Sequence, residues 1–273
     1  MKKIKPYIYK TDQATLKEYK DRIVSFIHEY SLNAGKTRGV IGLSGGVDSS
    51  LAYFLTCEAL GEKNTIGILM PYKTSSEQSM NNVQKLIEMK SGIKRYYDIT
   101  QAVDSLREIS DNMTNIRLGN IIARVRMITL YDISSETDAL VIGTGNKTEI
   151  LLGYFTVYGD GGCSIEPLGD LYKTEVWDIA RLVGIPDEII TQKPSADLWD
   201  GQTDETELGI TYKKADNILY LLIERNFTVK EIEAQGFNGG DINRIIILIN
   251  RSRFKRNTPP APCLRKQNRD EFL

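Results

Sequence analysis

Two hydrophobic rhythms alternate along the chain. Short apolar runs bounded by polar or turn-forming residues read as buried strands: Gly39 to Leu43, Asn64 to Met70 and Ala139 to Gly143. Lys94 to Ile99, ending in Asp98, reads as a further strand. Between them the apolar positions recur at helical spacing. Leu16, Ile23, Ile27 and Tyr30 share one face of a helix over Thr11 to Leu32, with Lys and Glu opposite. Leu51, Ala52, Phe54 and Leu55 supply the apolar side of a helix over Ser49 to Ala59. Ser75 with Gln78 predicts a capped start for a helix running to about Lys90, and Thr100 caps a short helix ending near Ser110. Thr114 to Ser134 is the most apolar helix. Ile116, Leu118, Ile121, Ile122, Val125, Ile128 and Leu130 cover most of its circumference and predict burial all round. A helix near Lys173 to Val183 follows, and more helices fill the chain to about Arg256, the last with Ile242, Ile245, Ile246 and Ile249 on its apolar face. Strands alternating with helices predict an α/β fold, a doubly wound parallel sheet with helices on both faces. One domain is expected over residues 1–262, with a polar C-terminal tail over 263–273.

Charge and composition narrow the function classes. Lys plus Arg number 35 and Asp plus Glu 36, so no general basic face for nucleic acid is expected. Cys57, Cys163 and Cys263 form no close pair, which excludes a zinc ribbon or Cys-x-x-Cys motif and fits a reducing, cytoplasmic setting. The single histidine, His28, lies far in sequence from any motif, so chemistry built on His is not expected. The polar start lacks the apolar run of an export signal, and no stretch reaches the roughly 20 apolar residues of a membrane span.

The chemistry concentrates between the first strand and its helix, at Ser44-Gly45-Gly46-Val47-Asp48-Ser49. A strand that breaks into a Gly-rich turn and then a helix makes an anion cradle. Glycine lets the backbone approach the ligand, and the helix N-terminus presents unpaired N–H groups with a favourable dipole. The turn holds no Lys, so it is not the usual P-loop. Hydroxyls, paired glycines and one Asp suit a pyrophosphate with a divalent metal held by carboxylate. The bland reading is a turn with Asp48 capping the helix.

Other candidates follow along the chain. Arg117, Asn120 and Arg124 form a polar stripe on the apolar helix, either paired with acids of a partner helix or holding an anionic substrate at a dimer interface. Asn146 and Glu149 form a capping box, or Glu149 shares the metal with Asp48. Gly153 to Gly162, rich in glycine and tyrosine, reads as a loop closing over a planar substrate or as an ordinary connection. Lys173 opens a helix, where a cation needs a nearby anion unless it is solvated. Gln192 to Asp204 is a long structureless run, a lid or a disordered segment. Arg251, Arg253, Lys255 and Arg256 either neutralise a phosphate or complement a helix C-terminus.

The six-residue turn resembles the pyrophosphate loop of the ATP-pyrophosphatase families, a Rossmann-like group with the adenine nucleotide alpha hydrolase fold. Later motifs narrow the resemblance: Gly-Asn-Ile-Ile-Ala-Arg-Val-Arg (119–126), Gly-Thr-Gly-Asn-Lys-Thr-Glu (143–149), Tyr-Gly-Asp-Gly-Gly (158–162), Pro-Leu-Gly-Asp-Leu-Tyr-Lys-Thr-Glu-Val (167–176), Pro-Ser-Ala-Asp-Leu-Trp (194–199) and Gln-Thr-Asp-Glu-Thr-Glu-Leu-Gly (202–209). From about residue 37 to 262 the chain resembles the ammonia-dependent NAD synthetases. The resemblance implies a ligase that adenylates deamido-NAD with ATP and Mg2+, then admits ammonia to give NAD, AMP and pyrophosphate. It implies ATP binding by Gly42, Leu43, Ser44, Gly45, Gly46, Val47, Asp48 and Ser49, joined by Thr144, Lys173 and Ser195. Asp48 and Glu149 become metal ligands, Asp48, Asp160 and Lys173 the catalytic set, Arg124 a contact to deamido-NAD at a homodimer interface, and Lys255 a contact to deamido-NAD on the C-terminal segment. Val157, Ser164 and Phe254 occupy deamido-NAD positions where many members carry Lys, Asp and His. The chain has no room for an attached glutaminase, so free ammonia or a separate partner supplies nitrogen. The alternatives are a paralogue amidating another carboxylate, a tRNA-modifying enzyme and a non-catalytic adenine-nucleotide sensor.

Overall fold

A computed structural model describes residues 7–199 and 201–262; the expected tail over 263–273 lies outside them. Four strands form one parallel sheet in the order β3-β2-β1-β4: β1 (Arg38–Gly42), β2 (Thr65–Leu69), β3 (Ile93–Tyr96) and β4 (Ala139–Val141). In the shared register Val40 lies between Ile66 and Val141. A parallel bridge from Ile142 to Ile165 extends the β4 edge.

Strand periodicity divides the core into two layers. Ile41, Leu43, Leu69 and Leu140 face α1 (Gln13–Asn33), α2 (Val47–Leu60), α3 (Glu77–Met89) and α7 (Lys173–Leu182). Val40, Ile66, Ile68 and Val141 face α4 (Thr100–Arg107) and α5 (Asn115–Thr137). With both faces covered, β1, β2 and β4 are almost continuously apolar. A third cluster joins α6 (Lys147–Leu152), α10 (Tyr212–Ile223), α11 (Val229–Ala234) and α12 (Gly239–Ser252) around Leu152, Tyr212 and Ile218. It braces the carboxyl end of β4. The short helices α8 (Asp187–Ile190) and α9 (Asp204–Leu208) flank the connection between α7 and α10.

Several elements depart from the sequence pattern. Helix α2 starts at Val47 with Gly46 as its cap, so Asp48 lies inside the first turn rather than before it. Ser76, not Ser75, caps α3 by accepting the Ser79 N–H, while Ser75 Oγ accepts the Tyr72 N–H. Thr100 opens α4, and the Asp98 carboxylate accepts its N–H at 2.8 Å. Helix α5 is not buried all round. The sheet and α4 cover only part of its circumference, and Ile116 and Ile128 are 69% and 60% exposed. Among the described residues no helix is long and apolar enough to cross a membrane.

Candidate active site

The site lies where β1 and β4 end, at the carboxyl edge expected of a parallel sheet. Beyond β1, Leu43 N–H still bonds Ile68 O, and the chain then turns through Ser44, Gly45 and Gly46 into α2. Gly45 has φ +79°, and a Cβ there would stand 2.3 Å from Ser79 O, so both backbone angle and packing require glycine. The buried Asn82 amide on α3 donates to Gly45 O at 3.0 Å and to Gln192 Oε1 at 2.6 Å, pinning the turn from behind. Ser49 Oγ accepts the Ser44 N–H at 3.3 Å and pairs with Ser44 Oγ at 3.0 Å. The first-turn N–H groups of α2 are therefore aimed past a rigid loop, as an anion site requires.

Three charged side chains meet beside this turn. Lys173 Nζ, almost fully buried at the start of α7, donates to Asp48 Oδ2 at 2.5 Å and Glu149 Oε1 at 3.1 Å. Asn146 Nδ2 donates to Asp48 Oδ1 at 2.9 Å. The Tyr212 ring lies 5.0 Å from the ammonium, and its hydroxyl donates to Asp204 Oδ2 at 2.9 Å. The capping-box reading of Glu149 is realised. Its Oε2 closes the capping box on the Asn146 N–H while Oε1 faces Lys173. Burial pushes the Glu149 carboxyl up to about 7; Lys173 opposes that rise, and the charges of Asp48 and Asp204 add to it. Burial works against the Lys173 charge, but Asp48 and Glu149 outweigh it and hold the ammonium well above the usual lysine range.

A cavity of about 490 Å³ opens onto this cluster. Its walls include Gly42, Leu43, Ser44, Gly46, Val47, Asp48 and Ser49, together with Thr144, Glu149, Asp160, Lys173, Ser195 and Lys255. Gly45 alone of the loop is turned away, against α3. Asp160 Oδ1 accepts the Thr156 N–H at 2.9 Å and closes the 153–162 turn on the cavity. Residues 192–199 line the cavity. Asp197 Oδ2 accepts from Ser76 N and Ser79 Oγ, both at 3.1 Å, and Leu198 and Trp199 pack on Gly119.

The other acceptor candidates stand off the cavity. Ser164 Oγ accepts the Val141 N–H at 3.2 Å, Arg124 Nη2 donates to Val157 O at 3.3 Å, and Phe254 is 70% exposed. In the basic cluster, Lys255 Nζ donates to Gly153 O and Phe155 O, both at 2.7 Å, and Arg256 donates to Ile150 O and Leu151 O. These two cations thus complement the C-terminal end of α6. Arg117 donates to Ser110 Oγ and Asn112 O, and Asn120 accepts from Thr156 Oγ1.

Sequence reasoning missed three groups. Arg126 reaches the cavity while Arg124 does not. Asp204 receives hydrogen bonds from Tyr212 and Tyr154, and its carboxyl is raised by burial. Glu166, pushed up to about 7 by burial, accepts the Gly145 N–H at 2.9 Å beneath Thr144. Glu166 and Asp204 lie in or beside the quoted motifs, but their partners come from distant segments.

The geometry has relatives. An NH(3)-dependent NAD(+) synthetase of Fusobacterium nucleatum is 47% identical over 89% of this chain and 95% of its own. The structure of the NMN synthetase of Francisella tularensis superposes with a TM-score of 0.81 at 33% identity, covering 90% of this chain and 98% of that one. An NH3-dependent NAD synthetase of Campylobacter jejuni gives 0.78 at 30% identity, covering 93% and 100%. The family model for NAD synthase spans residues 19–259, from α1 through the Ser44–Ser49 turn, the Asp48–Glu149–Lys173 cluster and Lys255. With the sheet, the turn and the charged cluster all inside that span, the chain belongs to the NAD synthase family.

Proposed function

We propose that the chain amidates deamido-NAD with ammonia at the expense of ATP. The observation that carries this reading is the buried Lys173 ammonium held between Asp48 and Glu149 at the mouth of the phosphate turn. The nicotinate carboxylate oxygen attacks the α-phosphorus of ATP, and the bond to pyrophosphate breaks. Ammonia then attacks the acyl carbon, loses a proton, and expels AMP to leave NAD. No nucleophilic side chain is needed. The turn N–H groups and Lys173 orient the phosphates and offset their charge, which is where such a site gains rate. Thr144 and Ser195 contact ATP from the facing walls. Asp160, on the cavity wall, takes a proton from the attacking ammonia in this reading.

The donor set fits Mg2+. Asp48 and Glu149 bond the same ammonium, so their oxygens are close enough to share a cation. Hard carboxylate oxygens with phosphate oxygens are what Mg2+ takes. A bound Mg2+ would neutralise phosphate charge at Asp48 and Glu149. The enzyme works as a cytoplasmic homodimer, the exposed apolar side chains Ile116 and Ile128 of α5 supporting the dimer. It draws on free ammonia or a separate ammonia-supplying partner.

Pyrophosphate release with ATP, Mg2+ and ammonium, followed with and without deamido-NAD, tests the reaction. Release that depends on deamido-NAD and equals the NAD formed supports it. Asp48→Asn and Glu149→Gln should each abolish adenylation with the fold intact, and near-normal turnover removes that residue from the metal site. A second acceptor has its own support. Val157, Ser164 and Phe254 do not line the cavity, and the Francisella relative is an NMN synthetase. Nicotinate mononucleotide assayed beside deamido-NAD decides between them by kcat/KM.

A further inference from the structure

One cation in the cavity has no role in the chemistry above. Arg126 lies on α5, one helical turn after the buried Ile122, and its guanidinium reaches the cavity wall. Its one hydrogen bond among the described residues is Nε to Met70 O at 3.2 Å, just past the end of β2. Because β2 pairs with β1, Met70 stands next to the phosphate turn. The other lining cations differ. Lys173 is matched by two carboxylates, Lys255 by two carbonyls, and Lys193 is exposed. Arg126 makes no ion pair among the described residues, although Asp160 and Asp197 lie near enough to favour its charge. Burial disfavours the guanidinium charge. A charged group held in such surroundings without an ionic partner is costly, and a ligand anion removes the cost. The two free Nη groups form a planar fork that suits two oxygens of one carboxylate or phosphate.

We propose that Arg126 binds an anionic oxygen pair, phosphate or carboxylate, of a nucleotide seated in this cavity. The inference rests on the adenylation reading for the identity of the ligands, but its binding assay stands apart from turnover. The source of the anion is either ATP or the carboxylate-bearing acceptor.

The experiment uses the full chain with Arg126→Gln and Arg126→Lys. Calorimetry measures binding of α,β-methylene-ATP, deamido-NAD and nicotinate mononucleotide, and steady-state assays give KM and kcat. Loss of a charge-assisted fork should weaken the bound ligand by about 10- to 100-fold in Arg126→Gln. The Lys variant keeps the charge but loses the fork, and should fall between Gln and wild type. Weakening confined to the ATP analogue assigns the fork to the triphosphate. Weakening confined to an acceptor assigns it to the acceptor. Unchanged affinity for all three ligands in Arg126→Gln overturns the proposal, as does an equal loss for every ligand accompanied by a lowered unfolding midpoint. Wild type that binds the ATP analogue but makes no amide from either acceptor defeats the adenylation reading, while the ATP arm still decides the role of Arg126.

Discussion

Asp216 does not touch the cavity, yet it sets the geometry of the charged cluster, and its replacement by Asn gives a signed test. The side chain is fully buried on α10. Oδ1 accepts Thr148 Oγ1 at 2.6 Å and Oδ2 accepts the Thr174 N–H at 2.8 Å. Thr148 Oγ1 in turn accepts the Lys173 N–H at 3.0 Å. One carboxylate thus ties together the first turns of α6 and α7, which carry Glu149 and Lys173. Burial raises its pKa from 3.8 to about 6, against the hydrogen bonds from Thr148 and Thr174. The folded value lies above the unfolded one, so the folded state holds the extra proton between them. The associated stability is fully present below pH 3.8 and is lost as pH rises through about 6. That difference is worth about 3 kcal/mol. Asp216→Asn abolishes the titration. Its amide oxygen still serves the Thr174 N–H, but the amide nitrogen faces Thr148, whose hydroxyl loses its acceptor at a cost of about 1–3 kcal/mol. Near pH 4 Asp216 is itself protonated and carries one O–H donor, so wild type and variant should be close in stability there, and wild type should fall relative to the variant by about 3 kcal/mol towards pH 7. Urea unfolding of both proteins at several pH values measures the difference directly. A stability difference that stays flat across this range refutes the reasoning.

Two more substitutions probe the site. Gly45→Ala places a Cβ 2.3 Å from Ser79 O in a left-handed backbone, so the turn must move. Binding of an ATP analogue should weaken at least tenfold, with strain of about 1–3 kcal/mol seen as a lowered unfolding midpoint; unchanged ATP affinity would show that the cradle tolerates displacement. Lys173→Met removes the ammonium and leaves Asp48 and Glu149 facing each other, with side chains 18% and 15% exposed. Breaking such a pair costs about 3–5 kcal/mol, measurable by denaturant unfolding at pH 7, and pyrophosphate release should cease. Retention of wild-type stability would mean that the cluster relaxes into solvent.

The parts of the fold legible in the sequence are those fixed by neighbours in the chain. The apolar runs of β1, β2 and β4 announce a sheet covered on both faces, and Ser44 to Ser49 announce the turn, because a strand-turn-helix cradle is built from contiguous residues. The start of α3 differs because adjacent hydroxyls take different N–H groups: Ser75 accepts from Tyr72 and Ser76 makes the cap. The excess apolar surface of α5 was visible, but not how much of it the sheet and α4 would cover. Asp216 could not be singled out. It is one Asp in an amphipathic helix, and its partners Thr148 and Thr174 lie 68 and 42 residues away.

Arg126 shows a signal that was present and can be read in retrospect. Residues two apart on a helix point about 200° apart, so at most one of Arg124 and Arg126 faces the sheet side. The buried positions Ile122 and Val125 set the phase, and Arg126 is four residues from the first and adjacent to the second. The same logic bears on acceptor choice. One side of the cavity is lined by the Ser44–Ser49 turn and Lys173, whereas the other draws on α5, the 153–162 turn and residues 192–199. Within one chain, the departures at Val157, Ser164 and Phe254 fall on side chains that do not line this cavity, one hydroxyl already committed to Val141 N–H. Substitutions there should spare the turn and Lys173 and act on what lies outside the cavity. Selectivity between a dinucleotide and a mononucleotide acceptor should therefore respond to substitutions at Val157 and Phe254 through KM for the larger acceptor, with kcat for the smaller one unmoved.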